Sequence, residues 1–307
     1  MTICTICYED YSDDTYIHHY YNCLEEQQIA LNNIANIVNP NNDMQNDMQN
    51  NIYIEPQLTN NQKSALEFAH KKSKIYSKNT RLDAIYKFNL MGYTKEDFNR
   101  SVDYIKNDVN IIIHVNLDNV LESIINDSDG LYRNRFETGT SGGCNYDIPR
   151  CNWENTLFSK LYENAQPYER VKYGALNVTN SMNGIGTCSH YGDSYFVLKK
   201  QVKNRSTFVI GDSSNMQMHL CTFEHFNILL SLIPNNLLKD IIAVALKKEK
   251  SLSNNYVYIE AQIHGPVRMN QDIEILMVNK KYKDNSNINM MLKLFKDTYG
   301  CPYQYIE

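Results

Sequence analysis

One segment of the chain carries a chemically active side chain at every second position. In "YVYIEAQIHGPV" (residues 256–267), a phenol, a carboxylate, an amide and an imidazole alternate with aliphatic residues. Successive side chains of a β-strand point to opposite faces, so the aliphatic groups would pack on the core and the polar groups would share the other face. These polar residues are Tyr258, Glu260, Gln262 and His264. The alternative is an ordinary solvated strand face.

A second segment, "DGLYRNRFETGTSGG" (residues 129–143), combines arginine with small and hydroxylated residues. Arg133 follows "LY", which reads as a strand end, and its guanidinium could grip a phosphate or a carboxylate in a bidentate manner. The backbone N–H groups and hydroxyls of the next residues could approach a pyrophosphate or a ribose closely. These candidate ligands are Thr138, Gly139, Thr140 and Ser141. The alternative is a glycine-rich connection with Arg133 in a surface ion pair.

Together, these two segments suit a reaction with an oxocarbenium-like transition state. A carboxylate would stabilise the developing positive charge and accept a hydrogen bond from a sugar hydroxyl, while an arginine would hold the attached phosphates. Cleavage of the nicotinamide–ribose bond of NAD is one such reaction. No GxGxxG or GxxxxGK[ST] segment is present, so the common nucleotide-cradling motifs are absent from the sequence.

The N-terminal region contains a candidate metal site. A Cys-x-x-Cys pair is followed by a histidine and a third cysteine, which is enough for one tetrahedral Zn²⁺. The candidate ligands are Cys4, Cys7, His18 and Cys23. The spacing resembles the first loop of a RING finger, but a complete RING is excluded because the next cysteine is Cys144. The alternative is a tail whose cysteines bind nothing.

Composition excludes several classes of protein. The chain of 307 residues has 21% charged residues and a net charge of −5, which argues against a broad basic surface for nucleic acid. No apolar run has the length of about 18 residues that a membrane-spanning helix needs, and no secretory signal is visible. Eight cysteines without such a signal are expected to stay reduced. We expect an intracellular protein without a nucleic-acid or membrane partner.

The elements that position these residues divide the chain into successive parts. Residues 1–38 form the Cys/His segment, and residues 39–57 are polar, repeat "NDMQ" and read as a flexible linker. Residues 58–106 are helical in pattern, with Thr59 as the helix N-cap and Ile75 among the apolar residues at helical spacing. Residues 107–307 alternate short strands with helices. The prediction is an α+β fold with a helical N-terminal part and a mostly antiparallel core.

The chain resembles the CteC-like ubiquitin threonine ADP-ribosyltransferases over residues 58–300. Its landmarks include "LTNNQKSALEFAHKKS", "DGLYRNRFETGTSGG", "CNWENTLF", "ERVKYGALNV", "RSTFVIGDSS" and "YIEAQIHGPVRMNQDIEILMVNKKYK". The resemblance implies an ADP-ribosyltransferase-like fold in which a pair of small antiparallel sheets forms an NAD cleft. It also implies an effector-like or toxin-like enzyme that acts in the cytoplasm or is delivered into a host cytosol.

The resemblance also implies roles for individual residues. Arg133, rather than Arg135, would anchor NAD. Ser194, or alternatively Ser189, would be the supporting serine. Glu260 is favoured over Glu274 as the catalytic glutamate because Gln262 and His264 share its face. Tyr173 and Asn177 would line the same cleft.

The implied reaction moves ADP-ribose from NAD to a threonine hydroxyl of ubiquitin and releases nicotinamide. Glu260 or His264 would accept the proton of the attacking hydroxyl. Two alternatives stay open at this point. One is an NAD glycohydrolase in which water replaces the threonine, and the other is a non-enzymatic ubiquitin-pathway binding protein with a degenerate transferase domain.

Overall fold

A computed structural model describes residues 2–3, 10–11, 53–144, 146–214, 219–255 and 257–306. The chain divides into two compact units, residues 1–52 and residues 53–307. Within the smaller unit, β1 (Thr2–Ile3) pairs with β2 (Asp10–Tyr11) in an antiparallel arrangement.

The larger unit begins with residues that the sequence assigns to the linker. The hydroxyl of Tyr53 donates to Oδ1 of Asp272 across 2.9 Å, and the Arg268 guanidinium lies 5.6 Å from the centre of the Tyr53 ring. Asp272 also pairs with Arg205 at 3.1 Å. Tyr53, which the sequence assigns to the linker, thus packs against a buried ion-pair cluster.

Two helices follow, and polar caps start both. Helix α1 (Asn60–Leu90) begins after Thr59, which forms a reciprocal capping box with Gln62. Helix α2 (Lys95–Asn107) begins in the same way after Thr94. The Thr59 cap is therefore as predicted, but Ile75 is 75% exposed and lies outside the apolar face of the helix.

The remaining helices are short. Pro234 separates α6 (Asn227–Leu232) from α7 (Asn235–Ala245), because proline has no backbone N–H with which to continue a helix. The α-helices are α3 (Leu117–Ile125), α4 (Arg135–Thr138), α5 (Asp147–Leu157), α6 (Asn227–Leu232), α7 (Asn235–Ala245) and α8 (Ser286–Tyr299). Turns of 3-10 helix lie at Pro167–Glu169, Gly186–Tyr191, Lys200–Arg205, Phe223–His225 and Lys280–Tyr282.

The strands of the larger unit form an eight-stranded sheet and one small pair. The sheet has the order β12-β11-β6-β3-β5-β9-β7-β8, with β11 and β12 parallel and the other neighbours antiparallel. Its strands are β3 (Ile111–Val115), β5 (Lys172–Leu176), β6 (Ser194–Leu198), β7 (Ser206–Ile210), β8 (Cys221–Thr222), β9 (Ile259–Ile263), β11 (Ile273–Val278) and β12 (Tyr303–Tyr305). The small pair is β4 (Leu131–Tyr132) with β10 (Val267–Arg268). The α+β prediction is confirmed, but hydrogen bonding joins the main strands into one sheet instead of two small ones.

The two faces of the sheet bury different kinds of side chain. The larger hydrophobic core covers the face that carries Phe196, Ile259 and Ala261. Glu260 and Gln262 lie on the opposite face, with Ala175 and Tyr173 as their partners on β5. All residues of β9 are buried, so the predicted polar face of this strand is interior.

Candidate active site

Glu260 is a buried carboxylate in the interior of the sheet. Its side chain lies on β9 between β5 and β7, and the residue is 6% exposed. The backbone N–H of Ser213 donates to Oε2 across 3.3 Å. Gln262 donates its Nε2 hydrogen to Oε1 across 2.8 Å. Both carboxylate oxygens are therefore held in a fixed orientation.

A continuous hydrogen-bond chain leads to Glu260 from Tyr162. The Tyr162 hydroxyl lies 2.7 Å from Nδ1 of His264, and Nε2 of His264 lies 3.3 Å from Oγ1 of Thr207. Thr207 in turn donates to Oε1 of Gln262 across 2.9 Å. Since the threonine hydrogen goes to Gln262, the Thr207 oxygen must accept from His264 Nε2–H, which leaves Nδ1 to accept from Tyr162. Every donor in the chain consequently points towards the Glu260 carboxylate.

The protonation states of Glu260 and His264 follow from their burial. Burial raises the pKa of Glu260 from 4.5 to about 7, against the lowering effect of the hydrogen bonds from Ser213 and Gln262. Burial, together with the nearby Arg205, lowers the pKa of His264 to about 3. His264 is therefore a neutral positioning group. It reaches Glu260 only through Thr207 and Gln262, whereas Glu260 can exchange a proton near neutral pH.

Aromatic and thiol groups surround this carboxylate. Tyr173 lies opposite Gln262 on β5 and donates to Oε1 of Glu154 across 3.3 Å. Burial raises the pKa of Tyr191 and of Cys188 to about 12, and the charge of Glu260 adds to both shifts. These groups are uncharged at neutral pH, and the nearby Asp212 carboxylate raises the pKa of Glu260 further.

Arg150 on α5 is a cation of this region that no sequence pattern singled out. It is 9% exposed and lies over the Tyr173 ring at 5.7 Å. Its Nε donates to the Cys144 carbonyl across 2.8 Å, and one terminal nitrogen donates to the Ser141 hydroxyl across 3.0 Å. Both partners are neutral oxygens, and no carboxylate of the described residues pairs directly with Arg150. Its charge therefore remains available to an anionic ligand.

The glycine-rich loop packs closely against Tyr191. A Cβ atom at Gly142 would lie 2.8 Å from the Tyr191 Cα, and one at Gly143 would lie 2.8 Å from the Tyr191 ring. Glycine at both positions thus permits a contact that any other residue would block. Ser141, just before them, holds Arg150.

The earlier part of this loop bonds to itself. The Thr138 hydroxyl contacts the carbonyls of Asn134 and Thr140 and accepts from the Thr140 N–H. Gly139 ends α4 in the left-handed conformation at φ +74°. Of the four predicted loop ligands, Thr138, Gly139 and Thr140 shape the turn, and Ser141 contacts the basic group.

Arg133 lies in an ionic cluster of its own. Its Nε donates to Asp127 across 2.7 Å and its terminal nitrogens donate to Asp127, Asp129 and Glu137. These bonds raise its pKa above the usual value, the contact with Asp127 being the main cause. Arg133 borders an open cavity of about 520 Å³, which Glu260 does not line. The structure therefore does not bring Arg133 into contact with the Glu260 carboxylate.

Three other predicted residues differ in burial and in hydrogen-bond partners. Ser194 is fully buried on β6, on the same face as the core residue Phe196. Its hydroxyl accepts a hydrogen bond from the Asn279 N–H across 3.0 Å. Ser189 is exposed. Asn177 exchanges hydrogen bonds with the backbone of Ser181.

Glu274 differs from Glu260 in its surroundings. It is exposed on β11 and accepts from the Asn110 amide across 3.0 Å. Strand β11 is separated from β9 by β6, β3 and β5. The carboxylate of Glu274 therefore lacks the interior setting of Glu260.

The sequence also predicts a zinc site near the N-terminus and no membrane-spanning helix. The proposed zinc ligands Cys4, Cys7, His18 and Cys23 lie outside the described residues. Among the described residues, no helix combines the length and the apolar character needed to cross a membrane.

Comparison with known proteins identifies the family of the chain. Residues 113–245 and 233–307 match the family described as "Protein of unknown function (DUF3626)". The chain belongs to this family, since the match covers most of its length.

Among solved structures, the chain is similar to "Thermosipho africanus DarTG in complex with ADP-ribose". The identity is 14% and the TM-score is 0.31, over 63% of this chain and 49% of the other, so the chain spans about half the length of that relative. No curated protein matches the chain.

Proposed function

We propose that this protein is a mono-ADP-ribosyltransferase that transfers ADP-ribose from NAD to a threonine hydroxyl of ubiquitin. The observation that carries the proposal is the Glu260 carboxylate, buried at 6% exposure and oriented by the donors of Ser213 and Gln262. A preoriented carboxylate in surroundings of low polarity stabilises a developing positive charge far better than one in water.

In the proposed reaction, Glu260 acts on the nicotinamide ribose. The bond between C1′ and the nicotinamide nitrogen breaks, and nicotinamide leaves with the bonding electron pair. The acceptor hydroxyl oxygen then bonds to C1′, and its proton passes to the Glu260 carboxylate. A pKa of about 7 suits this group to accept a proton and release it to solvent in each cycle.

We assign the contact with the dinucleotide phosphates to Arg150. The resemblance gives this role to Arg133, but the donors of Arg133 are already bonded to carboxylates. Arg150 has neutral partners at 2.8 and 3.0 Å and lies over the Tyr173 ring. An arginine without an acidic partner gains most from binding a phosphate, because no ion pair has to be broken first.

The choice of ubiquitin and of threonine comes from the sequence resemblance. The experiment is intact-mass spectrometry of ubiquitin after incubation with NAD and the full chain, with nicotinamide release measured in parallel. One added ADP-ribose on ubiquitin, with nicotinamide release that depends on ubiquitin, supports the proposal. Release that is indifferent to ubiquitin would instead indicate an NAD glycohydrolase. No release and no mass change would indicate a binding protein.

A further inference from the structure

We propose that His70, Glu224 and His225 form a binding site for one divalent transition-metal ion, with Zn²⁺ as the expected occupant. His70 lies on α1, while Glu224 and His225 lie in the 3-10 helix that follows β8. The three residues take no part in the Glu260 hydrogen-bond chain, so metal binding at this site does not depend on the transferase reaction.

The ligand atoms of the three residues already converge. One ligand atom from each lies within 4.8 Å of the other two. Nδ1 of His70 and Oε2 of Glu224 are 3.3 Å apart, and the two imidazole rings are 5.2 Å apart. In a tetrahedral zinc site with bonds of about 2.0–2.1 Å, neighbouring ligand atoms are separated by roughly 3.4 Å. Small rotations of His225 would therefore complete the site.

The Nε2 atom of His225 lacks a partner that a metal ion would supply. Its Nε2 atom is buried and has no hydrogen-bond partner within the described part of the chain. An unpartnered buried polar atom costs free energy, and a metal ion would remove that cost.

The composition of the set indicates the kind of ion. Two imidazoles and one carboxylate suit Zn²⁺ and similar ions, whereas Ca²⁺ and Mg²⁺ prefer oxygen ligands. Glu224 supplies one negative charge that favours a bound cation, whereas the nearby positive charge of Lys74 disfavours it. Three protein ligands leave the fourth position to water.

A metal at this position would fasten the long helix α1 to the edge of the sheet. The same two elements already meet at the Ser73 and Thr222 hydroxyls, which are 3.4 Å apart. Metal binding would therefore raise the thermal stability of the folded chain by mass action.

The test is zinc binding by the full chain carrying Cys4→Ser, Cys7→Ser, His18→Gln and Cys23→Ser, which removes the other candidate zinc ligands. Competitive titration with a zinc indicator should give one equivalent per chain, and Zn²⁺ should raise the Tm. His70→Gln and, separately, Glu224→Gln should weaken binding by at least about tenfold, because loss of a supporting group alone costs about that much. The matched control is His219→Gln, since His219 lies outside the cluster and its ring meets that of Tyr76 on α1 edge-on.

Cobalt substitution provides a second readout. Co²⁺ bound by this set should give the visible absorption of a tetrahedral site without a sulfur charge-transfer band, since no thiolate belongs to it. Failure to bind zinc would overturn the proposal, as would equal affinity in the control and the two cluster variants. Glu224 is exposed, so its variant decides the matter even if the histidine variant fails to fold.

Discussion

Gln262 donates its Nε2 hydrogen to Oε1 of Glu260 across 2.8 Å, between alternate residues of one central strand. The amide can do so in one orientation only, because its oxygen accepts from Thr207. This pair links the position of the Glu260 carboxylate to a buried chain that ends at Tyr162.

Activity should depend on the ionisation of Glu260. Burial raises its pKa to about 7, and the carboxylate form is the one that stabilises an oxocarbenium ion. We therefore expect kcat/KM for NAD to fall about tenfold per pH unit below pH 7 and to level off above it. A pH profile that stays flat down to about pH 5 would mean that the acting carboxylate has an ordinary pKa.

Glu260→Gln should remove activity and should also remove the loss of stability that the wild type shows as pH rises. Because the folded-state pKa of Glu260 is raised, the wild type loses stability as pH rises from 4.5 to about 7, the range in which only the unfolded chain releases this proton. The glutamine has a single acceptor oxygen, so it can accept from Ser213 or from Gln262 but not from both, and this loss is the same at every pH. The difference in free energy of unfolding between variant and wild type should grow by about 3 kcal/mol over this range.

Urea denaturation at about pH 5 and about pH 8 measures this difference. Glu154 also has a pKa raised to about 7 by burial, but it is present in both proteins and cancels. A constant difference across the two pH values would contradict the assignment.

Thr207→Val should disturb the site without touching substrate. The valine leaves Nε2 of His264 and Oε1 of Gln262 without their shared hydroxyl, and each unpaired buried group costs about 1–3 kcal/mol. We expect a lower free energy of unfolding, a lower kcat and an unchanged KM for NAD. Thr207→Ser keeps the hydroxyl and should restore kcat. If the serine variant is as slow as the valine variant, the hydroxyl has no positioning role.

Arg150 and Arg133 should respond differently to substitution. Arg150→Lys keeps the charge but loses the planar fork, so KM for NAD should rise by about tenfold or more. Arg133→Gln leaves Asp127 and Asp129 without their cation and Glu137 with Lys172 alone, so it should lower stability and leave KM nearly unchanged. The opposite pattern would restore Arg133 as the anchor that the resemblance implies. Steady-state kinetics and thermal denaturation of both variants separate the two outcomes.

Much of the candidate site was predictable where it depends on local sequence. The alternation in β9 correctly put Glu260, Gln262 and His264 on one face. That this face is interior depends on what packs over it, and its connection to Tyr162 joins residues 102 positions apart. No local pattern reports such contacts.

The misplaced residues have physical explanations as well. Arg133 has acidic residues at positions 127, 129 and 137, so its own neighbourhood neutralises it. Ser194 lies two residues before Phe196 on the same strand, so both side chains point to the same face and Ser194 faces the hydrophobic core. Arg150 gave no signal in the sequence because its significance comes from packing against Tyr173.

The most direct test of the central claim compares two glutamates. Nicotinamide release from NAD should be measured, with ubiquitin present, for the wild type, Glu260→Gln and Glu274→Gln. Glu274 is the matched control, because it is exposed and lies on β11 of the same sheet. We predict a loss of about 100-fold or more for Glu260→Gln and a change of less than about twofold for Glu274→Gln. Loss of activity in Glu274→Gln with retention in Glu260→Gln would contradict the proposed mechanism.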